Sequence, residues 1–447
     1  MSGPKTSEYT LTAEQRANLM AQNRCDSNII AYIGQMDGIF SQVNIALGEI
    51  ELFEGTGSDG NKIKTQELKK QIQNIESIKK QLQSRFTKVS SYKASTATIP
   101  SQEALAKKEA MLQSVKKIKK ETEDLIRKST DLRKISIKLH SDISAEIEEN
   151  LNSSFDLSWD LVVKTNETNQ KTEANIAHKK ETIISSVKML LEMDVPPLLR
   201  EKAYKALATI KQIESEEFLR NFSAVSIKPL EDECKHYIAL KEKCGEQFDD
   251  LNSRYISLCN MIGTKHMLFT LSEESCNQLK KEIALLEEEL CDAQEEEYIA
   301  DAIDEVMEEM GYDLIGSREV TKKSGKRFRD ELYTFSEGTA VNIRYDNQGK
   351  IAMELGGIDS TDRLPSSSEA SKLEDEMVAF CDKFTEFEKR LAQRGIVCKN
   401  RISHLPPKAE YAQIINTSDY DMETETEIFK VKRKTARNES KNQHRNE

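Results

Sequence analysis

The sequence predicts a mainly α protein: an elongated antiparallel coiled-coil or helical-bundle region, then a small C-terminal α+β domain with a four-stranded antiparallel meander flanked by helices. Three observations carry that prediction. Apolar residues recur at three-, four- and seven-residue spacing over most of the first 271 positions, the period of a helix with one buried stripe. Helix breakers are scarce, with 17 Gly and 8 Pro in 447 residues, so these periodic runs are long. After Gly311 the period falls to two, the signature of strands with one wet and one buried face.

The elements follow in order. Residues 1–10 show no helical period and read as a disordered N-terminus. Residues 11–92 read as an N-terminal helical bundle segment. Within it, Thr12 with Gln15 offers a capping box for a helix to about Asn23. A wide apolar helix then spans about Ser27 to Phe53, and a third, with Leu68, Ile72, Ile75, Ile78 and Leu82 on one side, spans Lys64 to Val89. The intervening Gly55-Thr56-Gly57-Ser58-Asp59-Gly60 matches G-x-G-x-x-G by letters. It follows a helical pattern rather than a strand, so it reads as a loop and not as a dinucleotide site.

Residues 101–271 read as a long coiled-coil or helical-hairpin region. Ile118, Leu125, Leu132 and Leu139 recur every seven residues, supported by Ile135, Ile143 and Ile147, with Thr122, Ser129 and Ser136 thinning the seam. Further helices are expected over Phe155–Val195, from Leu198 to about Val225, and from Pro229 to about Ile262. Residues 272–311 form a junction helix capped by Ser272 and stopped by Gly311. Its stripe changes phase across Glu295-Glu296-Glu297, from Leu279, Ile283, Leu286 and Leu290 to Ile299, Ile303, Val306 and Met310. The first set is expected to pack on the helical region and the second on the C-terminal module. Between Glu282 and Glu309 there are acids and no Lys or Arg, which reads as a solvated acidic face or a dock for a basic partner.

Residues 312–405 form the compact α+β module. Strands are expected over Tyr312–Thr321, Phe328–Phe335, Thr339–Tyr345 and Lys350–Leu355, with a short extra strand over Ile396–Ile402. A helix from Ser367 to Arg394 should bury Leu373, Met377, Phe380, Phe384, Phe387 and Leu391. Both the junction helix and this helix should cover one face of the sheet. Residues 406–447 read as a flexible tail, acidic first and basic from Lys430.

Composition bounds the function. Charged residues make up 32%, aromatics only 6%, and the net charge is −12, which opposes non-specific nucleic-acid binding by the chain as a whole. No apolar run reaches the length of a membrane span, and the N-terminus lacks the order of a signal peptide. Eight Cys without a C-x-x-C pair suit reduced thiols in a cytoplasmic protein rather than zinc or a disulfide scaffold. The six His are scattered, and no cofactor or metal is indicated. Cys381 could act as a nucleophile only with a base nearby, and His404 is the candidate.

The most specific polar cluster is a basic hairpin: Lys322, Lys323, Lys326, Arg327 and Arg329, with Arg344 on the next strand. It reads as a partner-binding tip, weighed against a merely solvated one. The chain is therefore expected to be a non-enzymatic scaffold or adaptor, its helical rod for oligomerisation or spacing and its module for recognising a protein partner. Homo-oligomerisation through the rod is one form of that role. An accessory subunit of a nucleic-acid machine, using the basic hairpin and tail, is the first alternative. An enzyme with an unrecognised site in the module is the second.

Overall fold

The computed structural model describes residues 3–50, 52, 58–95, 99–154, 167–321, 327–346 and 349–422. The protein is mainly helical, with an antiparallel sheet in its C-terminal part. The elements are β1 (Lys5–Leu11), α1 (Ala13–Gly48), α2 (Asp59–Val89), α3 (Gln102–Ser154), α4 (Glu167–Glu192), α5 (Pro197–Gln212), α6 (Glu216–Phe222), α7 (Lys228–Leu240), α8 (Glu246–Ile262) and α9 (Glu273–Glu309). The sheet region continues with β2 (Leu314–Thr321), β3 (Arg327–Ser336), β4 (Thr339–Asp346), β5 (Lys350–Asp359), α10 (Ser367–Gln393), β6 (Ile396–His404), β7 (Ile414–Asn416) and β8 (Asp421–Met422).

These elements form two compact units, and the division is not sequential. One unit holds Met1–Cys25, Ala94–Glu109 and Glu287–Glu447; the other holds Asp26–Lys93 and Ala110–Leu286. In sequence, the helical unit is thus two insertions in the chain of the sheet unit, separated by Ala94–Glu109.

In the sheet unit, β2, β3, β4 and β5 pair consecutively and antiparallel. They belong to an eight-stranded sheet rather than a four-stranded one, with order β6-β1-β5-β4-β3-β2-β8 and β7 parallel to β5. The disordered N-terminus expected for residues 1–10 is corrected: β1 lies between β5 and β6, and bonds to both. Its inward positions are Lys5, Ser7, Tyr9 and Leu11. Two of those four are polar, which hides the alternation. The flexible tail expected from residue 406 is corrected as far as Met422, because β7 and β8 join the sheet; the basic stretch from Lys430 lies outside the described residues.

One face of the sheet carries the main core. Val341, Ile343, Ile351, Met353 and Leu355 meet Ile299, Ile303 and Val306 of α9, Leu19 of α1, and the α10 stripe. All six residues expected to line α10 are buried, and both helices cover the same face. A second cluster on the other face joins Leu332 and Ala340 to Ile415 and Tyr420 of the C-terminal segment. α9 starts with the Ser275 N–H donating to the Ser272 hydroxyl at 3.0 Å. It ends at Gly311, whose φ of +85° lets the Tyr312 N–H reach the Met307 carbonyl at 3.0 Å, a turn that favours glycine.

In the helical unit, Ile118, Leu125, Leu132, Leu139 and Ile143 are buried, while Ile135 is exposed and so is not part of the seam. Thr122 and Ser129 tolerate burial because their hydroxyls donate to the carbonyls four residues back, at 2.7 and 2.8 Å. The break expected between Asn23 and Ser27 does not occur, and α1 is continuous. The helix expected from Leu198 to Val225 ends at Gln212, and Ser215 caps a new start. From there α6, α7 and α8 run on through two π turns, Ser223–Ile227 and Lys241–Gly245. The first turn precedes Pro229, where a regular helix would need an N–H that proline lacks. The start of the helix expected at Phe155 lies outside the described residues, as do Trp159 and Gly55-Thr56-Gly57 of the glycine-rich loop, while Asp59 and Gly60 begin α2.

Candidate functional site

The acidic part of α9 is neither bare nor solvated throughout. Arginines from distant parts of the chain read it. Arg16 pairs with Glu288 at 2.5 Å, Asp292 at 2.6 Å and, more closely still, Glu295. Arg24 pairs with Glu287, and Arg394 with Glu309 and Glu305. Glu295 is the centre of this set. It is buried, and it accepts from the Thr10 hydroxyl at 2.6 Å and the Leu11 N–H at 2.8 Å as well as from Arg16. A buried carboxylate is tolerated when paired and hydrogen-bonded. Here that pairing fixes the turn from β1 into α1 against α9.

A second acidic centre lies on the main-core face of the sheet. The Tyr333 hydroxyl donates to Asp304 and to Glu331, the latter at 2.9 Å. The Tyr345 hydroxyl lies 3.4 Å from Asp304. Arg329 pairs with Glu331 and stands 3.7 Å from Asp304. Burial first, and then the charge of Asp304, push the Glu331 carboxyl up to about 7. The Tyr333 phenol is also driven well above its ordinary range, chiefly by burial.

The opposite face has its own centre, with the charges reversed in number. Asp330 is wholly buried and lies opposite Arg344 in the strand register. Arg344 donates to it at 2.7 and 3.0 Å, and Arg318 approaches at 2.9 Å. Burial would raise the Asp330 carboxyl, but the two arginines outweigh it and hold it below the ordinary value. The C-terminal segment closes over this centre. Tyr420 stacks on Arg318 at 4.6 Å and donates to Asn342 at 3.2 Å, and Asp419 pairs with Arg318 at 3.0 Å.

These two centres account for the described members of the basic hairpin. Arg329 and Arg344 lie on opposite faces of the sheet, and each engages an internal carboxylate. Lys322, Lys323 and Lys326 lie outside the described residues, as does the side chain of Arg327. Strand alternation was the signal that separates the two arginines: positions 329 and 331 share one face, and 330 and 344 the other.

A fourth cluster involves β1, α10 and β6. Lys5 is only 3% exposed. Its Nζ sits 3.7 Å from the Phe384 ring centre and 5.3 Å from that of Phe380. Burial pulls the ammonium below its ordinary value. His404, the base considered for Cys381, instead bonds Ser7 through Nε2 at 2.9 Å, with Arg401 at 3.5 Å from its other nitrogen. Arg401 pairs with Glu388 at 2.7 Å. His404 is therefore engaged by Ser7 and Arg401, a placement that sequence spacing could not reveal.

No family model, curated protein or solved structure matches this chain. The geometry is thus the only guide to its chemistry. Among the described residues, no group of three or more His, Cys, Asp or Glu is placed to hold a metal ion, and no helix is long and apolar enough to cross a membrane. All four polar clusters tie separate segments of the chain to one sheet. Their first effect is to fix the module's shape.

Proposed function

We propose that the protein is a scaffold or adaptor whose sheet unit is a recognition head and whose helical unit is a spacer inserted into that head. The carrying observation is that β1, from one end of the chain, and β6, from near the other, lie side by side in one sheet. The buried seam of α3 favours the spacing role over oligomerisation, because Leu125, Leu132 and Leu139 are covered within a single chain. The arginines of the head are largely committed to its own acids. That leaves the hairpin tip, Lys322, Lys323, Lys326 and Arg327, as the group suited to an acidic protein partner. The same tip and the basic tail would serve the alternative, an accessory role on nucleic acid.

The test is charge reversal of Lys322, Lys323, Lys326 and Arg327 to Glu in the full chain, followed by crosslinking and mass spectrometry in native extract. Partners linked to residues 312–405 should disappear while the fold, read by circular dichroism, stays intact. Unchanged links would refute the head assignment. Light scattering of the purified chain tests the spacer role, which predicts a monomer; a stable oligomer abolished by charges on α3 would reverse it. Salt-sensitive binding of single-stranded or duplex nucleic acid by the native chain, lost in the reversed variant, would move the reading to the alternative.

A further inference from the structure

We propose that Ser418 is a phosphorylation site for an acid-directed serine kinase, and that a phosphate there unlocks the C-terminal strap, residues 416–422, from the second face of the sheet.

The strap crosses that face between two anchors of unequal strength. At one side β7 pairs with β5 through Gly357, Ile358 and Asp359. This anchor is firm, because β5 is shaped to receive it: a Cβ at Gly356 or Gly357 would stand 2.9 Å from Ile415 or Ile414. At the other side β8 pairs with β2 through Gly316 and Ser317 alone. The rest of that second hold is Tyr420, stacked on Arg318 and bonded to Asn342, and the Asp419–Arg318 pair. The turn Thr417–Asp419 lies between the anchors.

Ser418 sits in that turn. It is exposed, as are Asp419 and Asp421. Acids stand one, three and five positions after it, at Asp419, Asp421 and Glu423, a charge pattern that a kinase with a basic substrate groove selects. Ser366 also has an acid three positions on, but Arg363 holds both oxygens of that Glu369, at 2.7 and 2.9 Å. The Ser366 hydroxyl itself caps α10 by accepting from the Glu369 N–H. Ser418 has neither restraint.

The surroundings of the hydroxyl make a phosphate disruptive. Ser418 donates to the Asn416 Oδ1 at 2.5 Å, and the Ser360 carbonyl lies 3.3 Å away. Both are acceptors. The Asn416 amide in turn donates to Asp362 at 3.1 Å. A phosphate brings roughly −1.5 to −2 charges and further acceptor oxygens, and beside carboxylates it repels. Arg363, on the facing loop, is already bound by Asp359 and Glu369. The step itself balances. The Ser418 oxygen attacks the terminal phosphorus of ATP in the kinase, an O–P bond forms, the bond to the bridging oxygen breaks, ADP leaves with that electron pair, and the hydroxyl proton passes to the kinase's base. Release withdraws Tyr420 from its cluster with Leu332 and Ala340. It also takes Tyr420 and Asp419 off Arg318, which keeps Asp330. The switch does not depend on the scaffold role.

The experiment incubates the full native chain with ATP and a purified acid-directed serine/threonine kinase, maps phosphate by mass spectrometry and follows deuterium exchange of the amides. Ser418 should take one phosphate, and Ser418→Ala should lose it. In the phosphorylated chain the amides of residues 420–422 should exchange about tenfold faster or more. The Gly357 amide, bonded to the Gln413 carbonyl at 3.0 Å, should keep its rate. Ser418→Glu should speed the strap amides more than Ser418→Gln does, with circular dichroism checking both folds. Equal effects would reduce Ser418 to a hydrogen-bond donor and overturn the switch. A native chain that takes no phosphate at Ser418 would overturn the proposal. So would a phosphorylated chain whose strap exchanges at the same rate or more slowly, the latter placing the phosphate on Arg363.

Discussion

Replacing Glu331 by Gln should change how stability depends on pH, and the structure supplies the size of the effect. Glu331 is 1% exposed, and its carboxyl is raised from 4.5 to about 7 by burial and by Asp304. At low pH the group is protonated whether the chain is folded or not, so it costs nothing. As pH rises through about 4.5 the unfolded chain releases the proton while the folded chain keeps it, so stability falls. Above about 7 the folded group also ionises and the loss is complete. A rise of roughly 2.5 units at about 1.4 kcal/mol per unit gives a loss of about 3 kcal/mol across that window. Gln cannot ionise and should remove this slope, although it weakens the pair with Arg329. Urea unfolding of both proteins between pH 5 and 8 is the assay. The variant should gain roughly 2–3 kcal/mol relative to wild type between those limits. Because the charge of Asp304 helps to raise the Glu331 carboxyl, Asp304→Asn should flatten the same slope. A wild-type-to-variant difference constant within about 0.5 kcal/mol across the range would refute the buried-acid account.

Three further outcomes follow from the same contacts. Asp330→Ala leaves Arg318 and Arg344 facing each other without their carboxylate, and should destabilise the sheet unit by about 3–5 kcal/mol in chemical unfolding. Arg16→Ala strands the buried Glu295 and should cost about 3 kcal/mol, with much of the loss restored by Glu295→Gln in the double variant. The β1 amides should exchange with deuterium as slowly as those of β5, since β1 has strands on both sides; exchange at the rate of a free peptide would show that the strand is not docked.

Much of the fold was legible because its periods are clean. The six α10 residues at spacings of three and four are all buried. The phase change in α9 puts Ile299, Ile303 and Val306 into the sheet's core. β5 alternates over Lys350–Leu355 as its letters suggest, whereas β4 is buried on both faces from Thr339 to Ile343, because the C-terminal segment covers the second face. β1 was hidden because Lys5 and Ser7 occupy two of its inward positions, and a lysine there is tolerable only beside Phe380 and Phe384. β7 and β8, at three and two residues, are too short to show a period. The site was less legible than the fold. The hairpin arginines are visible as charges, but their acids become visible only once register is known. Arg16 and Arg394 sit hundreds of positions and tens of positions, respectively, from the acids they meet, so the acidic run on α9 looked free.

That last failure connects to how the chain must assemble. β1 is separated from its partners β5 and β6 by most of the residues between Leu11 and Lys350. A loop of that length adds closure entropy only logarithmically, on the order of (3/2)RT ln n, but its contacts are of very high order and should form late. The helical unit shortens the problem, because local helical contacts can form before the ends meet. Arg16 then has a specific part in the closure. It sits one turn into α1, directly after β1, and the α9 acids that hold it lie directly before the sheet. Arg16, docked on Glu288, Asp292 and Glu295, holds the end of β1 against α9. The acidic run of α9 is thus best understood as the receiving half of a charge pair whose other half is encoded at the far end of the chain.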